Sequence, residues 1–223
     1  MRFAPTAVPA GLLALGVAIL VFWFAPNAMI HEAWGQTIID DWSNVKAAPP
    51  PELKAVTLDP KSTALLLLDF SKQTCGPRPR CVATLPQVEK LATAARAKNV
   101  LVVHSLALGE ATAADLLVAP QGDEQHVKSG ANKFLRTDLE KILKDKGVTT
   151  VIVTGTVAHG AVLNTAAAAA LMGLKVILPV DGMSAENAYP EQYTAWHLAN
   201  APGGIAPQVT VTKIDLIQFG SGT

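Results

Sequence analysis

What this chain lacks narrows its chemistry before anything present is considered. Lys+Arg and Asp+Glu both total 18 in 223 residues. With no net charge, nothing draws the chain onto nucleic acid, and no nucleic-acid partner is expected. Aromatic side chains make up only 5% of a chain that is half hydrophobic, and its alanine and valine excess suits close-packed α/β layers. The five histidines (His31, His104, His126, His159 and His197) are scattered, without the paired spacing of metal ligands, so no metal is expected. Gly155 to Gly160 has neither the glycine spacing of a dinucleotide site nor the Lys-Ser/Thr of a phosphate loop, and no cofactor is called for. A G-x-S-x-G nucleophile elbow is missing as well. Cysteine is down to two residues, Cys75 and Cys81, framing CGPRPRC.

What is present begins with an apolar start. No charged side chain occurs from Phe3 to Ile30, and Val8–Ala25 is densely apolar. At about 1.5 Å per residue that stretch can cross a hydrocarbon core of about 30 Å. Arg2 precedes it; Glu32, Asp40 and Asp41 follow. The positive-inside tendency therefore places the rest of the chain on the periplasmic or extracytoplasmic side. Residues 1–30 read either as a membrane anchor or as a signal segment that is cleaved, which would leave a secreted domain. Residues 31–60 read as a tether, Pro-rich at its end in Ala48–Pro51. Within it Trp34, Ile38, Ile39 and Trp42 have helical spacing, as an interfacial helix or a docking face for a membrane partner would.

Residues 61–223 alternate strand and helix patterns. Ala64–Leu68 is a solid apolar run ending in Asp69, Val100–Val103 a second strand, and Pro86–Lys98 a helix between them. Glu110–Leu117 reads as a short helix, Gly122–Lys133 as a polar loop, and Arg136–Lys146 as an amphipathic helix. The centre is a βαβ unit: Val151–Val153, a turn at Gly155–Gly160, the alanine-rich helix Ala161–Met172, and Val176–Leu178. Tyr189–Asn200, Val209–Val211 and Ile214–Phe219 close the domain. This alternation predicts an α/β fold: a doubly wound, mostly parallel sheet flanked by helices, with ligands at the carboxyl ends of the strands. Asp69, at the end of a buried strand, is then either a turn residue or a site acid.

Four of these pieces, in order, resemble the isochorismatase-like hydrolases, the superfamily that also holds nicotinamidases and related cysteine amidohydrolases. LLLLD ending at Asp69 resembles the family's strand-one aspartate; Lys128 in VKSGANKF, followed by TDLEKIL, its lysine motif; TGTVAHGAVLNTA its nucleophile turn; LPVDGMSA the strand after it. The resemblance implies that Asp69 and Lys128 meet at the sheet edge as catalytic residues. It also implies a ligand or oxyanion site at Val157, Ala158, His159, Gly160 and Ala161, with a cis peptide near Val157–Ala158. The chain departs from the family where it matters most. Ala161 stands where the cysteine hydrolases carry their nucleophile, and a methyl group cannot form an acyl intermediate. Isochorismatases proper resemble the chain at Ala158–His159 and lack that cysteine too; they cleave a vinyl ether by protonation from aspartate. Ser71 replaces the glutamine common two residues after the family aspartate.

The expected function is therefore hydrolysis of a small, anionic metabolite by Asp69 acid or base chemistry without a cysteine. The alternatives are a catalytically silent ligand binder and an accessory subunit of a membrane assembly, homo-oligomeric or with another partner. In an exported domain Cys75 and Cys81 are expected to form a disulfide; the rival reading makes Cys75 a relocated nucleophile. Arg78 and Arg80 are either solvated or a clamp for a substrate carboxylate.

Overall fold

The computed structural model describes residues 37–109 and 113–220, so the apolar segment expected over 1–30 lies outside the described residues. Among those residues no helix is long and apolar enough to cross a membrane. The chain divides into two units, Met1–Ala47 and Ala48–Thr223. In the first, one helical turn over Ile38–Asp41 is held by a capping box at Thr37, whose N–H donates to Asp40 Oδ2 at 2.7 Å.

The second unit begins ahead of the expected boundary at residue 60. The proline-rich stretch is docked, because its backbone groups find partners on the body. Gln192 Nε2 donates to Ala48 O at 3.2 Å, and the Lys54 N–H donates to Val211 O at 3.0 Å. Strand β1 (Val56–Leu58) then pairs in parallel with the last strand, Ile217–Phe219.

The main sheet contains β2 (Thr63–Leu68), β3 (Leu101–Ala107), β4 (Gln125–Ser129), β5 (Thr150–Thr156), β6 (Lys175–Pro179), β7 (Met183–Ser184) and β8 (Val209–Thr212). Its order is β4-β3-β2-β5-β6-β8, every pairing parallel, with β7 beside the end of β5. Helices α1 (Pro79–Ala97), α2 (Leu139–Asp145), α3 (Leu163–Leu171) and α4 (Ala188–Asn200) cover it. Alternate residues of the central strands feed two cores. Leu66, Leu68, Val151 and Val153 pack with Ala166, Ala169, Leu139 and Leu198 on one face; Leu65, Leu67 and Ile152 pack with Val88, Leu91 and Ala95 on the other. The strands are buried on both faces, as the uninterrupted apolar runs require.

Three segments depart from the expected pattern. Helix α1 starts at Pro79, not Pro86, because proline is well suited to the first helical position, and Pro86 lies within the helix. The expected loop at Gly122–Lys133 contains β4, a polar edge strand in which only Val127 and Ser129 are buried. The expected helix over Glu110–Leu117 is a single 3-10 turn, Ala113–Asp115, among the described residues.

Candidate functional site

The carboxyl ends of β2 and β5 set the geometry. Leu68 and Gly155 are register partners, and a Cβ on Gly155 would lie 2.5 Å from both the Cβ and the carbonyl oxygen of Leu68. Only glycine lets the two strand ends approach this closely, and its φ of 148° also disfavours any other residue. The next residue on β2, Asp69, turns into the left-handed region with φ 56°, a conformation Asp and Asn tolerate better than most. A backbone held there by its surroundings commonly marks a functional position.

Both carboxylate oxygens of Asp69 accept hydrogen bonds. Ser105 Oγ, at the end of β3, donates to Oδ1 at 2.7 Å, and Lys133 Nζ donates to Oδ2 at 2.7 Å. The lysine side chain is fully buried and the aspartate side chain is 6% exposed, so this is an ion pair removed from water, stable only while both partners are present. Lys133 Nζ also donates to Ser129 O at 3.1 Å.

The ammonium that meets Asp69 is thus that of Lys133, which corrects the assignment to Lys128. On β4 the side chains alternate, and with Val127 and Ser129 inward, Lys128 is exposed between them. Past Ser129 the chain curls back. Ser129 Oγ lies 3.0 Å from Asn132 O and 2.9 Å from Leu135 O, and this loop carries Lys133 under the sheet edge. The Lys133 N–H donates to Thr165 Oγ1 at 3.1 Å, while Thr165 Oγ1 donates to Ala131 O at 3.3 Å. Thr165 is one turn after Ala161, so the lysine loop is seated on the helix face that Ala161 shares.

After β5 come a cis peptide at Thr156–Val157, one bond earlier than expected, and a π-helical turn, Ala158–Val162, that leads into α3. Ala158 and Ala161 are buried, Val157 and Gly160 half-buried, and His159 exposed. The Gly160 N–H donates to Val157 O at 2.9 Å, which commits that amide to the turn instead of to a ligand.

The loop after Asp69 is closed by a Cys75–Cys81 disulfide with the Cα atoms 5.4 Å apart. This overturns Cys75 as a free nucleophile; no cysteine is free. The two arginines of the loop are neither simply solvated nor an open clamp. Arg78 Nε donates to Glu186 Oε1 at 3.0 Å, tying the loop to the segment after β7, and Arg80 Nε donates to Glu191 Oε1 at 2.9 Å, tying the start of α1 to α4. Hydrogen bonds from its own backbone N–H and from Arg78, with a smaller contribution from His159, hold the Glu186 carboxyl below the usual carboxylate range.

A second polar group, half-buried and unforeseen from the residue order, fastens α1 to the loop before β4. Arg96 grips Glu124 with two bonds, at 2.7 and 2.9 Å, while His104 Nε2 lies 2.8 Å from Glu124 Oε2. Burial pushes the Glu124 carboxyl up, but the bonds from Arg96, His104 and the Gln121 N–H outweigh it and bring the carboxyl to about 2. Burial holds His104 below the usual histidine range despite Glu124. His104 and Ser105 are adjacent on β3 and serve opposite faces of the sheet, one for architecture and one for Asp69. Among the described residues no cluster of three or more His, Cys, Asp or Glu could hold a metal ion.

Residues 63–211, from β2 through β8, match the isochorismatase domain model. The chain belongs to the isochorismatase family. Solved structures share the fold at low identity. A cysteine hydrolase from Pseudomonas syringae pv. phaseolicola aligns with a TM-score of 0.62 and 21% identity, over 76% of this chain and 95% of that one. An isochorismatase from Pseudomonas putida gives 0.62 and 18%, over 82% and 98%. An isochorismatase-like hydrolase from Alkaliphilus metalliredigens gives 0.61 and 24%, over 69% and 95%. No curated protein matches the chain. Within this isochorismatase-family domain, Asp69, Lys133 and Ala161 all fall inside the matched range, whereas β1 and its partner strand lie outside it.

Proposed function

We propose that this isochorismatase-family protein is a hydrolase of a small, anionic metabolite, with Asp69 as general base and no covalent intermediate. The observation that carries the reading is the enclosed Asp69–Lys133 pair with Ser105 on the second carboxylate oxygen. Every hydrogen bond described to that carboxylate comes from a donor, so the group is held as an anion, ready to take a proton from water. Lys133 gives the carboxylate its countercharge, and Ser105 fixes its orientation. Ala161 occupies the nucleophile's place, so water has to be the attacking group. The Ala161 amide, in the first turn of a helix, is the donor aimed at charge developing on the substrate oxygen.

The test is turnover on a panel of small carboxylate-bearing esters, amides and vinyl ethers. Asp69→Asn should lower kcat/KM by about 10²- to 10⁴-fold, the usual contribution of a general base, and iodoacetamide should leave the wild-type rate unchanged. Activity that survives Asp69→Asn refutes the assignment. The near-complete enclosure of the pair favours one second reading, a silent member that binds a ligand; it predicts ligand-dependent stabilisation with no product.

We also place the domain outside the cytoplasm, held at the membrane by the apolar segment or freed from it by cleavage. The short-loop disulfide, which suits an oxidising compartment, supports this placement, as does the uncharged run from Phe3 to Ile30.

A further inference from the structure

The chain has two tyrosines and four tryptophans, and they are not spread through the fold. Trp23, Trp34 and Trp42 belong to the first 42 residues; Tyr189, Tyr193 and Trp196 all lie on α4. Among the described residues, Trp42 and the three on α4 all lie outside the core. At positions i, i+4 and i+7 the three α4 residues form one narrow stripe, and they are 70%, 38% and 42% exposed. Asn200 continues the stripe, its side chain turned back to Trp196 O at 2.8 Å; no charged residue interrupts it. Exposed aromatic groups are costly in water unless something covers them, and Tyr and Trp together with no charge is the composition of side chains at the headgroup level of a bilayer.

The path of the chain says which surface that is. The polypeptide enters the folded body at Ala48, whose carbonyl oxygen accepts from Gln192 on α4. Ala48–Pro51 and Trp196 line one groove of about 460 Å³. The attachment point is therefore on the helix that carries the stripe, and the chain leading to it is the one with the apolar run Val8–Ala25.

We propose that the Tyr189–Tyr193–Trp196 face of α4 rests in the interfacial layer of a phospholipid bilayer and orients the domain on the membrane. The inference depends on the anchoring proposed above, and its test separates the two. The full chain is reconstituted in phosphatidylcholine nanodiscs, with and without bromine on the acyl chains near the ester. Two single-tryptophan forms are compared: one keeps Trp196, with Trp23, Trp34 and Trp42 changed to Phe; the other keeps Trp23. In the Trp196 form the three removed tryptophans precede Ala48, so the folded body is untouched; in the Trp23 form Trp196 is changed to Phe as well.

Bromolipid should quench Trp196 roughly twofold or more and its emission should shift to the blue relative to detergent, as an interfacial indole requires. Tyr193→Glu should reverse both effects while leaving Trp23 quenched. If Trp23 is quenched and Trp196 is not, the face is refuted and anchoring stands. If neither is quenched, anchoring fails as well. A blue shift of Trp196 that appears without lipid and grows with protein concentration assigns the face to a second copy of the chain and overturns the proposal.

Discussion

Replacing Lys133 with methionine removes the positive half of a pair whose atoms are 2.7 Å apart and whose side chains are 0% and 6% exposed. At an effective dielectric constant of about 20 the attraction between the two charges is about 6 kcal/mol. Desolvation offsets much of that in the intact protein, so the pair adds little net stability as a unit. The single variant behaves differently, because it leaves the nearly enclosed Asp69 carboxylate without its countercharge. Breaking a buried pair from one side costs about 3–5 kcal/mol, or a fall in Tm of about 10 °C for a domain of this size. Asp69→Asn is the right second arm, since asparagine accepts the φ of 56° that other side chains resist. The double variant should lie well above the sum of the singles, with a coupling of at least about 2 kcal/mol. Urea unfolding of all four proteins, followed by circular dichroism and by disulfide-sensitive mobility, measures it. If Lys133→Met costs under about 1 kcal/mol and combines additively with Asp69→Asn, Lys133 is not the partner of Asp69.

Acid should weaken the fold through Glu124 and His104. The folded Glu124 carboxyl titrates at about 2 against an ordinary 4.5, so the unfolded chain takes the proton first, and the stabilisation present above 4.5 is lost as pH falls towards 2. His104, lowered by burial, acts in the same direction below its ordinary 6.5. Urea midpoints should therefore drop on acidification, with a shallower slope below 4.5 in Glu124→Gln; equal slopes would remove Glu124 from the account. Gly155→Ala puts a methyl group 2.5 Å from Leu68 and should cost about 3 kcal/mol or more, seen as loss of soluble protein or a large drop in Tm. A soluble, unshifted variant would mean that the two strand ends are not in close contact. Changing Cys75 and Cys81 together to serine should cost about 2 kcal/mol from loop-closure entropy, and reductant should then have no further effect on the variant.

Much of the fold could be read from periodicity because the central strands are buried on both faces. Leu65–Leu68 and Val151–Val153 carry no polar residue to confuse the assignment, and the alanine run from Ala166 marks a helix packed tightly on the sheet. Asp69 was visible for the same reason, as the one charge ending such a run. The lysine was not, because VKSGANKF holds two, and choosing between them requires knowing that β4 exists. That strand is mostly exposed and reads as loop; the alternation of Val127 and Ser129 was the available signal, and it turns Lys128 outward. The Arg96–Glu124–His104 group was beyond reach, since its members come from a helix, a loop and a strand whose proximity only the folded topology creates. The disulfide was legible because its two cysteines are the only ones and lie six residues apart.

The pairing of β1 with Ile217–Phe219 joins the earliest strand of the body to its last. A polypeptide delivered from its amino end, whether from a ribosome or through a secretion channel, cannot close that ribbon until Phe219 has emerged. Truncations that stop short of Phe219 should therefore leave an unfinished body whose opening segment stays accessible to proteases. Once complete, the two ends are clasped side by side, so a rearranged gene that fuses them and opens a surface loop elsewhere has a short gap to bridge.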